Sequence, residues 1–366
     1  MNLKNLKMQT MKKQFKIFLL FLIIPSLGFS NDDFSYSKQK NINKAYIVNS
    51  DAGINIDNSY GNIFVTTWNE DKIEIDVIIK VSGNSENWVN QRINAIDVNF
   101  IALKSMVTAK TVFENNVSRN NGKNSSFEIN YTVKIPKNGT VILNNKYGSI
   151  STTDLFSSTD INCKYGKINL ANLNGNNNRI QISYCSKSAV DFLKNGNVIA
   201  KYSELKIDRL SRIDLISDYS EIEIGDGNDV KYNSKYGSVK IDKVNSLDAN
   251  GNYLTIDVGS LSNQLKLYTK YSNVTIDAIQ PKASNITIAA GYTGVDIGFQ
   301  SNYIFNFDVS VKYADFKYDD ELTVTSKEET NYTKKVSGFF KKKGENKISV
   351  TSDYGNVKLY KNNVQK

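Results

Sequence analysis

Twelve tyrosines recur along this chain, each followed by a small residue in all copies but one and then by alternating apolar residues: Tyr60, Tyr147, Tyr165, Tyr184, Tyr202, Tyr219, Tyr236, Tyr253, Tyr271, Tyr292, Tyr313 and Tyr354. From Tyr147 to Tyr313 the steps are 18, 19, 18, 17, 17, 17, 18, 21 and 21 residues. A period that short and that sustained calls for one strand-bearing unit stacked many times. The sequence therefore predicts an all-β fold, a single-stranded, right-handed β-solenoid of about eleven rungs with a small N-terminal β-rich cap containing one helix. The alternative is a meander of hairpins.

With the tyrosine as position zero, position −4 is apolar in all twelve units, from Ile56 and Leu143 to Val309 and Val350, and position +3 is apolar in all but one, Lys187. Alternation of this kind marks half-buried strands. The apolar parity is even before the tyrosine and odd after it, so each unit must bend there. Position +1 is Gly at 61, 148, 166, 237 and 355, which assigns the corner conformation to that residue. Even parity with −4 and −2 turns the tyrosines inward, and Tyr219→Ala is then expected to be strongly destabilising. An outward ladder would instead suit stacking against sugars.

The first thirty residues read as a secretory signal peptide: Lys12, Lys13 and Lys16, the apolar run Ile17–Ile24, Pro25, then Gly28-Phe29-Ser30. They hold five lysines and no acid, so the charge of +9 falls to +4 without them. That is too little to imply a nucleic-acid partner. The chain has no histidine, which removes Ser-His-Asp and Cys-His catalysis and the commonest zinc ligand. No cofactor is expected. Cys163 and Cys185 differ in unit position by three residues, an odd offset that sends strand side chains to opposite faces. Two separate buried thiols are expected, unless the corner between them restores both side chains to the same side.

Residues 31–44 are polar and expected to be flexible. Residues 45–140 read as the cap region, with a helix over Ser85–Ile96 capped by Ser85 and carrying Trp88, Ile93 and Ile96 on one side. Repeats follow over 141–362, interrupted by a long loop or hairpin at 326–346. There Phe339 and Phe340 sit among lysines and offer a peripheral membrane contact.

From Ala45 to Tyr360 the pattern resembles the secreted "putative adhesin" families of Bacteroidetes-type bacteria, β-solenoid domains of unknown function. The resemblance is carried by GINIDNSYGNIFVTTWNEDKIEI near the start, SENWVNQRINAIDVNF, the KYGSI-type units and the closing ISVTSDYGNVKLY. It implies an envelope or surface protein and assigns no catalytic residue.

The expected function is a non-enzymatic cell-envelope binding or adhesin-like protein, located in the periplasm or on the cell surface, with an envelope protein or glycan as partner. The alternatives are a polysaccharide-active lyase or glycosidase and a periplasmic envelope-stress or signalling accessory. A ligand surface would use the outward carboxylates Glu204, Glu221 and Glu223, with Lys201, Lys235 and Lys270 from the lysines preceding the tyrosines. Asp226, Asp229, Asp257, Asp296 and Asp315 are further carboxylates that a lyase or glycosidase would draw on.

Overall fold

The computed structural model describes residues 34–114 and 125–362; the signal segment at 1–30 lies outside them. The described chain is almost entirely strand, with one helix among the described residues, Glu86–Asn94.

Successive units lie in parallel register. Val141–Lys146 pairs with Thr159–Lys164, and that strand pairs with Asn178–Ser183, matching Leu143 to Ile161 to Ile180. After each tyrosine a second parallel ladder repeats the arrangement, with Ile150 opposite Ile168. Most of the −4 and +3 residues, and most of those two further on each side, stack into one buried core, with Thr152, Thr159 and Asn178 as buried polar members of the same rows. Each fully buried Ile, Val or Leu contributes about 1.5–3 kcal/mol, so a unit with four such positions outweighs the cost of its corner. Lys187, the apolar exception, sits at positive φ (49°) as an extra residue, and Ser188 takes the +3 place opposite Leu205.

The corner is built differently from the sequence expectation. The tyrosine itself, in all twelve units, is the left-handed residue, with φ between 50° and 64°. Its amide still pairs across units, as Tyr147 N donating to Lys164 O at 2.9 Å. The glycine that follows answers to close approach instead. A Cβ on Gly148 would lie 1.8 Å from the carbonyl oxygen of Gly61, the equivalent residue of the neighbouring unit. Where position +1 is Ser or Thr, its hydroxyl points inward and donates to the carbonyl two residues back, as Ser203 Oγ to Lys201 O at 2.7 Å.

Both ends are closed by antiparallel strands. The unit of Tyr60, inside the expected cap region, is a full member of the stack: Gly53–Ser59 lies between Val141–Lys146 and Met106–Phe113. Beyond it, Lys72–Gly83 pairs antiparallel with Ser125–Pro136, and the helix packs against Lys72–Gly83 and Tyr36–Ile47. Ser85 caps the helix as expected, its Oγ accepting from Trp88 N at 3.4 Å. Val89 and Ile93 are its buried residues, while Ile96 opens the next strand. Residues 31–44 were expected to be flexible, yet Tyr36–Ile47 is a strand paired with Lys72–Gly83. Backbone pairing needs no apolar run at an edge, and lysines there discourage further pairing; Ile42 and Tyr46 alone reach the core.

At the other end, residues 326–346 form no long loop. Leu322–Glu329 and Thr333–Phe340 make an antiparallel hairpin on Phe305–Lys312. The last unit then threads backwards. Lys347–Asp353 inserts between Ile286–Gly291 and Phe305–Lys312, parallel to both.

Candidate binding surface

The left-handed tyrosine resolves which way the rings point. An extended residue at position zero would continue the inward parity of −4 and −2. A positive φ swings the side chain out of that register, so the rings stand outside the core with 40–51% of their surface exposed. The inward placement expected from sequence is therefore corrected for every unit, Tyr219 included. L-residues pay roughly 1–2 kcal/mol for this conformation. Stacking offsets it: neighbouring rings lie 4.6–5.1 Å apart, centroid to centroid, at interplanar angles of 1–13°. Stacked aromatic pairs contribute about 0.5–1.5 kcal/mol each beyond burial, and an internal ring has two.

The result is a continuous ladder of twelve rings, roughly 50 Å long at one ring per strand spacing. It is sealed at one end by Phe127, 5.0 Å from Tyr60, with the Arg92 guanidinium over Phe127 at 4.3 Å. Tyr332 seals the other, 5.2 Å from Tyr313. Each ring's faces are covered by its neighbours, so the ladder shows solvent its edges. Sugar stacking, which needs an open ring face, is not what this arrangement offers; hydrogen bonding along the edge is.

Beside the ladder runs the row of residues preceding the tyrosines. Lys201, Lys235 and Lys270 are exposed in it, with Lys146 and Lys312, while Lys164 is half-buried. The Lys312 ammonium lies 5.5 Å from the Tyr313 ring centroid. Asp218 stands opposite Lys201 in register, and Asp353 opposite Lys312, so the row is broken.

On the other side of the ladder the carboxylates gather in part. Glu204 and Glu221 occupy the same position of consecutive units and line an open groove of about 400 Å³ with Tyr184, Tyr202 and Tyr219. The Glu204 carboxylate accepts from the bulged Lys187 N at 3.0 Å. Glu223 is exposed two residues along the same strand and does not line this groove. Asp315 is engaged elsewhere, 2.6 Å from the Lys334 ammonium. That hydrogen bond holds its carboxyl below the usual carboxylate range. Asp226, Asp257 and Asp296 fall outside the groove. Asp229 lines a larger open groove of about 570 Å³ that no ladder tyrosine lines, where Arg212, Lys231, Asp248 and Lys266 mix both signs. Among the described residues no group of three or more carboxylates and thiols is arranged to hold a metal.

The aromatic pair proposed for membrane contact is divided. Phe340 is 1% exposed and packs edge-on against Phe299 at 4.9 Å, leaving only Phe339 partly exposed. Strand alternation in the hairpin sends one ring into the core.

No family model and no curated protein matches the chain. Among solved structures it is similar to a "putative cell adhesion protein" from Clostridium sporogenes, at 10% identity over 88% of this chain and 100% of that one, TM-score 0.18. It is also similar to a "putative adhesin" from Bacteroides fragilis, at 13% identity over 87% and 97%, TM-score 0.20. A third is a "putative lipid binding protein" from Parabacteroides distasonis, at 7% identity over 87% and 96%, TM-score 0.29. These superpositions are too loose to support fold or function, which rest on the strand registers and ring geometry.

Proposed function

We propose that this chain is a non-enzymatic, adhesin-like binding protein of the cell envelope, exported through residues 1–30. In this reading it is a right-handed solenoid of about eleven rungs that presents the tyrosine ladder and the adjoining lysine row as one elongated recognition surface. The observation that carries the proposal is the outward ladder. Twelve strained backbone positions and twelve half-exposed rings contribute less to stability than inward apolar residues would, and strain kept at a surface points to use of that surface. Phenolic edges are hydrogen-bond donors that recur at the strand spacing, and the ammonium groups of Lys201, Lys235 and Lys270 stand beside every second ring. They suit an extended, acidic glycan lying along the stack.

The test is binding of the full chain to an acidic polysaccharide and to a neutral one of the same backbone, over a range of salt. The proposal predicts preference for the acidic polymer, weakened by salt. With up to about 1 kcal/mol per exposed charge contact, K201Q/K235Q/K270Q should lose on the order of tenfold to a hundredfold in affinity. Equal binding of both polymers, or no loss in the triple variant, would overturn the lysine-ladder assignment.

A further inference from the structure

Cys163 and Cys185 meet in one corner of the core. Cys163 holds position −2 of the Tyr165 unit and Cys185 position +1 of the Tyr184 unit. The odd offset between them would separate two side chains of a continuous strand. The left-handed Tyr184 intervenes, however, and resets the parity, so both side chains turn inward, 0% and 1% exposed. Residue 182 stands directly opposite Cys163 in the parallel ladder, and the chain turns its corner just after it. The turn brings Cys185 Sγ to 3.4 Å from Cys163 O, with Ser183 O at the same distance. Cys163 Sγ points into the same corner, 3.5 Å from Gly148 O and 3.7 Å from Lys167 O. In this structure both are free, buried thiols. In other units these places hold residues such as Ser203, whose hydroxyl donates to a carbonyl, or Ile182, which only packs.

We infer that Cys163 and Cys185 are a disulfide-forming pair that staples two adjacent units at the corner beneath the tyrosine ladder. Both S–H bonds break and one S–S bond forms. The two protons and two electrons pass to a second disulfide, an oxidised dithiol or a small-molecule disulfide, which leaves as two thiols. Because both sulfurs are closed off once the units stack, exchange takes place before or during closure of this corner. The bond closes a loop that excludes unfolded conformations, so the oxidised protein is the more stable form.

The experiment uses the full chain, refolded from the reduced state with oxidised glutathione and then alkylated under denaturing conditions without reductant. The expected result is an intact mass lower by two hydrogens, no alkylation of either cysteine, and one linked pair of proteolytic peptides containing Cys163 and Cys185. Reduction should lower the melting temperature of this protein and leave that of C163S/C185S unchanged. If the double variant does not fold, the peptide map of the wild-type chain decides alone. Alkylation of both cysteines after refolding, or linkage only between different molecules, would overturn the inference. So would a bridged form that melts no higher than the reduced one.

Discussion

Tyr354 stacks on Tyr292 with ring centroids 4.7 Å apart, although the unit of Tyr313 comes between them in sequence. The last unit is thus an internal member of the stack, held on one side by Ile286–Gly291 and on the other by Phe305–Lys312. Removing residues 347–366 should therefore disrupt more than a terminus. Without them the strand Phe305–Lys312 and its hairpin lose their parallel partner. Limited proteolysis should then cut first within 301–346 while the region before Tyr271 stays protected. Gly355→Val tests the same contact, since its Cβ would lie 2.0 Å from Thr293 O.

The strain at the ladder predicts an inverted order of substitutions. Tyr165 has φ 56° and stacks on Tyr147 and Tyr184 at 5.1 and 5.0 Å. Tyr165→Ala loses both stacks and keeps the strain, so it should cost about 1–3 kcal/mol. Tyr165→Gly loses the same contacts and relieves the left-handed penalty, so it should cost less than Ala by about 1 kcal/mol. Urea unfolding of the two variants measures the difference.

Tyr232 stands at position −4, where other units carry aliphatic residues, and its buried hydroxyl has no hydrogen-bond partner. An unpaired buried hydroxyl costs about 1–3 kcal/mol, so Tyr232→Phe should raise stability by about 1 kcal/mol or more. Tyr303→Phe is the contrasting case, because its hydroxyl donates to Ser284 O at 2.9 Å. That variant should be neutral or destabilised in the same assay.

Burial raises the hydroxyl pKa of Tyr131, Tyr232 and Tyr303 above the ordinary value of 10.0. The folded state therefore holds these protons more tightly than the unfolded state. Their contribution is fully present below about pH 10 and is lost as pH rises toward the folded values. Each group contributes a slope of up to about 1.4 kcal/mol per pH unit. Unfolding followed by circular dichroism should show the midpoint falling steeply above pH 10. A midpoint unchanged well above pH 10 would place these rings in water.

The stacked units and the core rows were legible in the sequence because alternation reports directly on which side chains are buried. The ring direction was not, because alternation alone carries the inward parity through the tyrosine as though it were extended. The clue lay in the repeat: Gly fills position +1 in only five units, whereas tyrosine fills position zero in all twelve. The residue present every time is the one that adopts the special backbone. The backward threading of the last unit had only a weak sign, the 41-residue step from Tyr313 to Tyr354. Which strand fills a gap is decided by long-range pairing that leaves no local pattern. Of the candidate ligand residues, Glu204 and Glu221 come together beside the ladder, while Lys201, Lys235 and Lys270 line its other side. The groove between the rings and the two carboxylates depends on the outward turn of the tyrosines and could not be drawn without it.

The most direct measurement is nitration of native protein with tetranitromethane, mapped by peptide mass spectrometry. The outward ladder predicts modification of tyrosines such as Tyr165, Tyr202 and Tyr236, with Tyr131, Tyr232 and Tyr303 untouched until the protein unfolds. Protection of the ladder tyrosines alongside those three would return the rings to the core and contradict the recognition surface built on them.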